Sequence, residues 1–112
     1  MSIKKKSTPK SDKTLKIIEK ILGKKPTLGD YLYALREGDE KNQSDFAELL
    51  GVSRQYLCDV EKGRRVVSAK AAASFAEKLG FPPEVFIQLA LQDELNQAGL
   101  KYNIELKACY VN

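Results

Sequence analysis

The stretch from Gln43 to Arg65, QSDFAELLGVSRQYLCDVEKGRR, decides the fold, because its apolar positions describe two short helices with a tight turn between them. In the first, Phe46, Ala47, Leu49 and Leu50 make the apolar side, while Gln43, Ser44, Asp45 and Glu48 face water. Gly51 follows at once, and a glycine just past a helix takes φ > 0 without steric cost, so the chain can turn sharply. Val52 is placed to cap the small core from that turn. Ser53 is a natural N-cap, its hydroxyl able to accept a backbone N–H two or three residues on. In the second helix Leu57 and Val60 point inward at i, i+3 spacing, and Arg54, Gln55, Cys58 and Asp59 fall on other faces. Ala47 is small enough to let the second helix cross closely over the first.

A polar second helix with a basic exit is the layout of a helix-turn-helix unit that reads the DNA major groove. The stretch resembles the Xre and Cro family of prokaryotic helix-turn-helix regulators, on Gln43, Phe46-Ala47, Leu50-Gly51-Val52-Ser53, Leu57, Val60-Glu61 and Gly63. The resemblance spans residues 27 to about 80, roughly half the chain. It implies a five-helix, phage-repressor-like domain whose second motif helix enters the major groove. Ser53, Arg54, Gln55 and Asp59 then stand at base edges, with Tyr56 and Cys58 near the groove wall. Gln43 matches a position that contacts a phosphate, and Lys62, Arg64 and Arg65 follow the helix where further phosphate contacts are made. The resemblance also implies an ion pair between Glu61 and Arg36 that locks the fold and does not touch DNA.

Side-chain chemistry supports these assignments independently. Arginine offers a bidentate fork to guanine O6 and N7, and glutamine pairs bidentately with adenine N6 and N7, so Arg54 and Gln55 are the candidate readers. Arg54 has the alternative of a phosphate. Asp59 is suited to accept from cytosine N4. Against each stands the plainer reading of a solvated surface side chain.

Charge is unevenly distributed. Up to Lys25 there are nine lysines against Asp12 and Glu19, a net of +7, whereas the remainder has ten basic and thirteen acidic residues, a net of −3. A DNA-reading body must then work through a local field from Arg54, Lys62, Arg64, Arg65 and Lys70, or draw on the basic arm. At 112 residues the chain holds one small domain with appendages and no deep enzymatic cleft. No apolar run follows the early lysines and none reaches the length of a membrane span, so a cytoplasmic chain is expected. Cys58 and Cys109 lack a CxxC partner and there is no histidine, which leaves no zinc-binding set; no metal and no cofactor are expected.

Three segments follow. Residues 1–26 form a basic arm, polar to about residue 11 and then a short amphipathic helix capped by Ser11 or Asp12, with Leu15, Ile18, Ile21 and Leu22 on one side. Residues 27–95 hold the helix-turn-helix domain. Thr27 caps its first helix, with Leu28, Tyr31, Leu32 and Leu35 inward; Ser68 caps an alanine-rich helix ending at Gly80; Pro82-Pro83 opens the last helix. Residues 96–112 are a tail in which Leu100, Tyr102, Ile104 and Leu106 alternate with polar residues, the signature of a β-strand. The class is therefore mainly α, with a C-terminal strand. One strand cannot satisfy its own backbone, so a homodimer is expected, with Phe86, Leu89, Leu91, Tyr102, Ile104 and Leu106 at its interface.

The leading functional expectation is a dimeric repressor on double-stranded DNA with an inverted-repeat operator. The small size and extra terminal segments resemble the HigA- and HipB-type antitoxins, which bind their own promoter and neutralise a toxin protein. A phage-type or restriction-controller repressor without a toxin is the alternative, and a protein-interaction module that has lost DNA binding is another. An enzyme is disfavoured: Gly23-Lys24-Lys25 lacks the upstream glycine and following Ser or Thr of a phosphate loop, and no nucleophile stands beside a base.

Overall fold

Thr27 starts the first helix through a reciprocal pair of hydrogen bonds: its hydroxyl accepts from the Asp30 N–H at 3.0 Å and the Asp30 carboxylate accepts from the Thr27 N–H at 3.0 Å. The computed structural model describes residues 25–107 together with Lys16, Ile17, Lys20 and Cys109. Between residues 25 and 107 five helices are found: α1 (Leu28–Gly38), α2 (Gln43–Leu50), α3 (Arg54–Glu61), α4 (Ala69–Leu79) and α5 (Pro83–Gln97). Asn42, Ser53 and Ser68 cap α2, α3 and α4, accepting from Asp45, Tyr56 and Ala71 at 2.8, 3.0 and 3.1 Å. Gly51 and Gly80 end α2 and α4 in the left-handed region, φ 78° and 75°. The expected N-terminal helix face of Leu15, Ile18, Ile21 and Leu22 lies outside the described residues.

The core takes one stripe from each helix: Tyr31 and Leu32, Phe46 and Leu50, Leu57 and Val60, Phe75 and Ala76, Phe86 and Ala90 are all buried. Tyr31 and Phe86 meet edge to face at 5.4 Å, with Phe81 beside them at 6.2 and 5.9 Å. Phe86 is therefore a core residue without exposed surface, and the expectation that it faces a second chain is corrected. Leu89 packs against the same core. Leu91 is half-buried and lies outside the core cluster.

Three long-range contacts fix the helices that carry the motif. Gly29 of α1 sits against the Val60 carbonyl of α3, so closely that a Cβ added there would collide with its oxygen. The Lys78 ammonium donates to the Leu50 carbonyl at 2.9 Å, satisfying an orphan acceptor at the C-terminus of α2. On α5, the Asp93 carboxylate accepts from the Leu28 N–H at 2.9 Å, an N-terminal cap supplied from the far end of the domain. Burial pushes the Asp93 carboxyl up to about 6, against the lowering effect of the Leu28 N–H, and nearby Asp30 raises it further.

The tail departs from expectation. Gly99, at φ 76°, turns the chain back along α5, but residues 101–107 form no strand, and no strand occurs among the described residues. The backbone is met by two glutamines instead. The Gln92 carboxamide donates to the Tyr102 carbonyl at 2.7 Å and accepts from the Ile104 N–H at 2.9 Å; the Gln88 carboxamide accepts from the Leu106 N–H at 3.1 Å. Residues four apart on a helix rise by about 6 Å, close to the advance of two residues of extended chain, so glutamines at i and i+4 match alternate N–H groups. The period-two pattern does not produce the expected strand; the hydrogen-bond partners of the tail are side chains of a helix of the same chain.

Candidate nucleic-acid interface

The interface is built from the two N-termini of the motif. Gln43 opens α2 and Arg54 opens α3, and between them lies an open polar groove lined by Arg36, Asn42, Gln43, Ser44 and Arg54. First-turn N–H groups of a helix have no intrahelical acceptor, and with the Arg54 guanidinium alongside, the groove has the donors and charge that a phosphate needs. Arg54 and Gln55 are both exposed on the first turn of α3. Ser53 is exposed too, but its hydroxyl is engaged in capping, accepting from the Tyr56 N–H.

Behind this surface Arg36 and Glu61 meet through two parallel contacts, Nε to Oε2 at 2.8 Å and Nη2 to Oε1 at 3.1 Å. Their side chains are 9 % and 4 % exposed. Arg36 Nη1 also donates to the Lys41 carbonyl at 3.0 Å, and Gln43 Nε2 donates to Glu61 Oε1 at 3.0 Å. Glu61 thus ties the end of α3 to α1 and to the start of α2, setting the angle between the motif helices. The Glu61 hydrogen bonds hold the Arg36 guanidinium more firmly protonated than usual, although its burial works in the other direction. Gln43, expected at a phosphate, presents its carboxamide to Glu61 and stands half-buried at the groove floor.

On the exposed face of α3 a second network forms. Asp59 Oδ1 accepts from Gln55 Nε2 at 3.0 Å and from Arg64 Nε and Nη2 at 3.1 and 3.0 Å. These bonds, Arg64's foremost, hold the Asp59 carboxyl below its ordinary value. Arg64 Nη2 also lies 3.8 Å from Cys58 Sγ. Arg65 stacks over the Tyr56 ring at 4.6 Å, and that ring packs edge to face on Phe75 at 6.2 Å, so Tyr56 serves as a platform for Arg65. Lys62 is exposed at the C-cap of α3.

Sequence reasoning missed Asn42 and Ser44 as groove residues, although an asparagine just before an apolar-periodic run is a readable cap. The Gln55–Asp59 contact also had a signal, an i, i+4 spacing of amide and acid on one helix. Among the described residues no group of His, Cys, Asp or Glu could hold a metal ion, and no helix is long and apolar enough to cross a membrane.

The family model described as helix-turn-helix domain matches residues 27–86, which runs from the α1 cap to the first turn of α5 and includes the whole surface described above. No curated protein and no solved structure is matched by the chain. Capped helices α2 and α3, the left-handed Gly51 between them and a match over more than half the sequence lead to one assignment: the chain belongs to the helix-turn-helix domain family, a DNA-binding fold.

Proposed function

We propose that this chain is a sequence-specific transcription repressor in which α3 enters the major groove of an operator, Arg54 and Gln55 meet base edges, and Lys62, Arg64 and Arg65 take phosphates. The observation that carries the reading is the exposure of Arg54 and Gln55 together on the first turn of α3, flanked by the basic exit at residues 62–65. Glu61, the acid that ends α3, is turned inward to Arg36 and leaves that surface positive. An electrophoretic shift with the DNA upstream of its own reading frame tests this. Retarded migration that survives unrelated competitor DNA is expected; equal competition by any duplex would reduce the protein to a non-specific binder.

The working unit is a homodimer on an inverted repeat, with two copies of α3 about 34–36 Å apart. Leu91 supports this, as an apolar side chain of α5 that is only half-buried and outside the core. Within that reading the chain is the antitoxin of a toxin–antitoxin operon, autoregulating its promoter, and the segments 1–26 and 96–112 that flank the domain are its surplus over a bare DNA reader. Co-purification from the native host, read by mass spectrometry, should yield a second small protein from the adjoining frame. Recovery of the homodimer alone would favour the phage-type or restriction-controller alternative.

A further inference from the structure

Asp59 was expected to read a base itself, yet its Oδ1 is filled by three hydrogen bonds from within the chain. We infer that Asp59 is a positioning residue which, by accepting from Gln55 Nε2, fixes the orientation of the Gln55 carboxamide and makes it discriminate adenine from guanine. This deepens the proposed function and rests on it.

A free glutamine side chain on a helix surface rotates about its terminal torsion and can present its oxygen or its NH2 group first. With one Nε2 hydrogen given to Asp59 at 3.0 Å, rotation by half a turn would set Oε1 against a carboxylate oxygen, two acceptors without a proton between them. The bound orientation leaves outward one acceptor, Oε1, and one donor, the second Nε2 hydrogen. In the major groove adenine offers the complement, an N6 donor beside the N7 acceptor, whereas guanine offers two acceptors, O6 and N7. A released carboxamide can turn its NH2 toward guanine, and an anchored one cannot. Asp59 is itself held, since Arg64 reaches the same oxygen through Nε and Nη2 and Asp59 is only partly exposed. Arg64, anchored at the exit of α3, thereby braces the acid that orients the reader one turn earlier.

The test uses the full-length chain and a pool of randomised duplex DNA, with bound fractions sequenced and the affinities of the enriched site and its single-base variants measured by competition. The wild-type chain should show one adenine per half-site that is lost as a preference in Gln55→Ala. At that position the adenine-to-guanine ratio should fall from about tenfold or more in the wild type to within about threefold in Asp59→Ala. Asp59→Asn should restore most of the ratio, because its side-chain oxygen still accepts from Gln55 although the charge is gone. Arg64→Ala should weaken all sites alike and keep most of the ratio, a pattern that a merely structural role for Asp59 would also impose on Asp59→Ala. The inference is overturned if Asp59→Ala keeps the adenine preference, if Asp59→Asn fails to restore it, or if the position controlled by Gln55 is not adenine. If the wild type enriches no sequence, sequence-specific recognition itself falls and takes this inference with it; a wild-type motif that Asp59 does not influence removes the inference alone.

Discussion

Replacing Glu61 by leucine should strand the Arg36 guanidinium in a space where its side chain is 9 % exposed, leaving it the Lys41 carbonyl and the distant Glu37 carboxylate at 3.6 Å. Replacing Arg36 by methionine leaves the Glu61 carboxylate, 4 % exposed, with only the Gln43 carboxamide. Breaking a buried pair from one side costs about 3–5 kcal/mol, because the remaining charge has lost its compensation, whereas removing both charges is often close to neutral. A small domain has a total of about 5–15 kcal/mol, so each single variant should lose a large share of its stability. The double variant Arg36→Met/Glu61→Leu should recover much of it, giving a coupling of at least about 3 kcal/mol. Urea titration followed by far-ultraviolet circular dichroism measures all four proteins, with a stabilising osmolyte held constant if a single variant is unfolded in buffer. Glu61→Gln, which keeps an acceptor for Arg36 and Gln43, should fall between wild type and Glu61→Leu. Single effects that add to within about 0.5 kcal/mol would refute the reasoning, since they would mean that neither charge depends on the other for its burial.

Arg64→Ala should lower affinity for every operator variant by a similar factor and reduce the slope of log affinity against log salt by about 1, measured at two or more ionic strengths; an unchanged slope would place Arg64 off the phosphates. Gly29→Ala should cost about 1–3 kcal/mol or more in urea unfolding, because the new methyl meets backbone at Val60 and α1 must lift from α3. For Asp93, whose folded pKa of about 6 lies above its ordinary value, the folded state holds the extra proton, so its contribution to stability is fully present at low pH and is lost as pH rises from about 4 through 6. Asp93→Asn keeps an acceptor for Leu28 without the charge, and its stability relative to wild type should grow by about 1–2 kcal/mol between pH 4 and 7.5 once solvent screening is allowed for; parallel pH profiles would rule this out. Truncation after Gly99 removes the hydrogen bonds to Gln88 and Gln92 and should cost about 1–2 kcal/mol without changing the sedimentation of the assembly; conversion to monomer would show that the tail serves the dimer after all.

The residues that act over short sequence distances were legible. Thr27, Ser53 and Ser68 cap where their type and position foretold, and Gly51 and Gly80 turn left-handed after an apolar run, because capping and turning are settled within three or four residues. The inward stripes of α1 to α4 were legible for the same reason, being set by helical period, except at Leu49, which was placed on the apolar side of α2 and is 42 % exposed. What stayed hidden is settled between distant segments. Nothing in the sequence announces that Lys78 will close α2 or that Asp93 will cap α1, since each needs the packed geometry first. Glu40 shows the same limit in miniature: no local signal marks it, yet Gly38 is the last residue of α1 and Glu40 is the one that takes φ 54°. The tail failed differently, because alternation reports an extended chain and carries no information on whether strand, helix or solvent meets its backbone.

The acidic balance of the body is compatible with a DNA-facing surface once pairing is considered residue by residue. From residue 26 onward acids outnumber bases thirteen to ten, but the two acids in the last turn of α3 are both engaged, Glu61 by Arg36 within the fold and Asp59 by Arg64 at its surface. Arg54, Lys62, Arg64 and Arg65 all face outward around α3, Arg64 with Asp59 beside it and Arg65 set in place by the Tyr56 ring. At physiological salt, charges more than about 8 Å apart are largely screened, so a phosphate approaching α3 meets this local cluster far more than the net charge of the body. The same screening limits what the cluster can do at a distance. On the proposed function, the nine lysines at residues 4–25 add the attraction that grows as ionic strength falls, while the cluster sets the register of α3 in the groove. That reading puts steering and reading in different parts of the chain, so a charge change on α3 should alter the site chosen, and one in the arm should alter how fast any DNA is found at low salt.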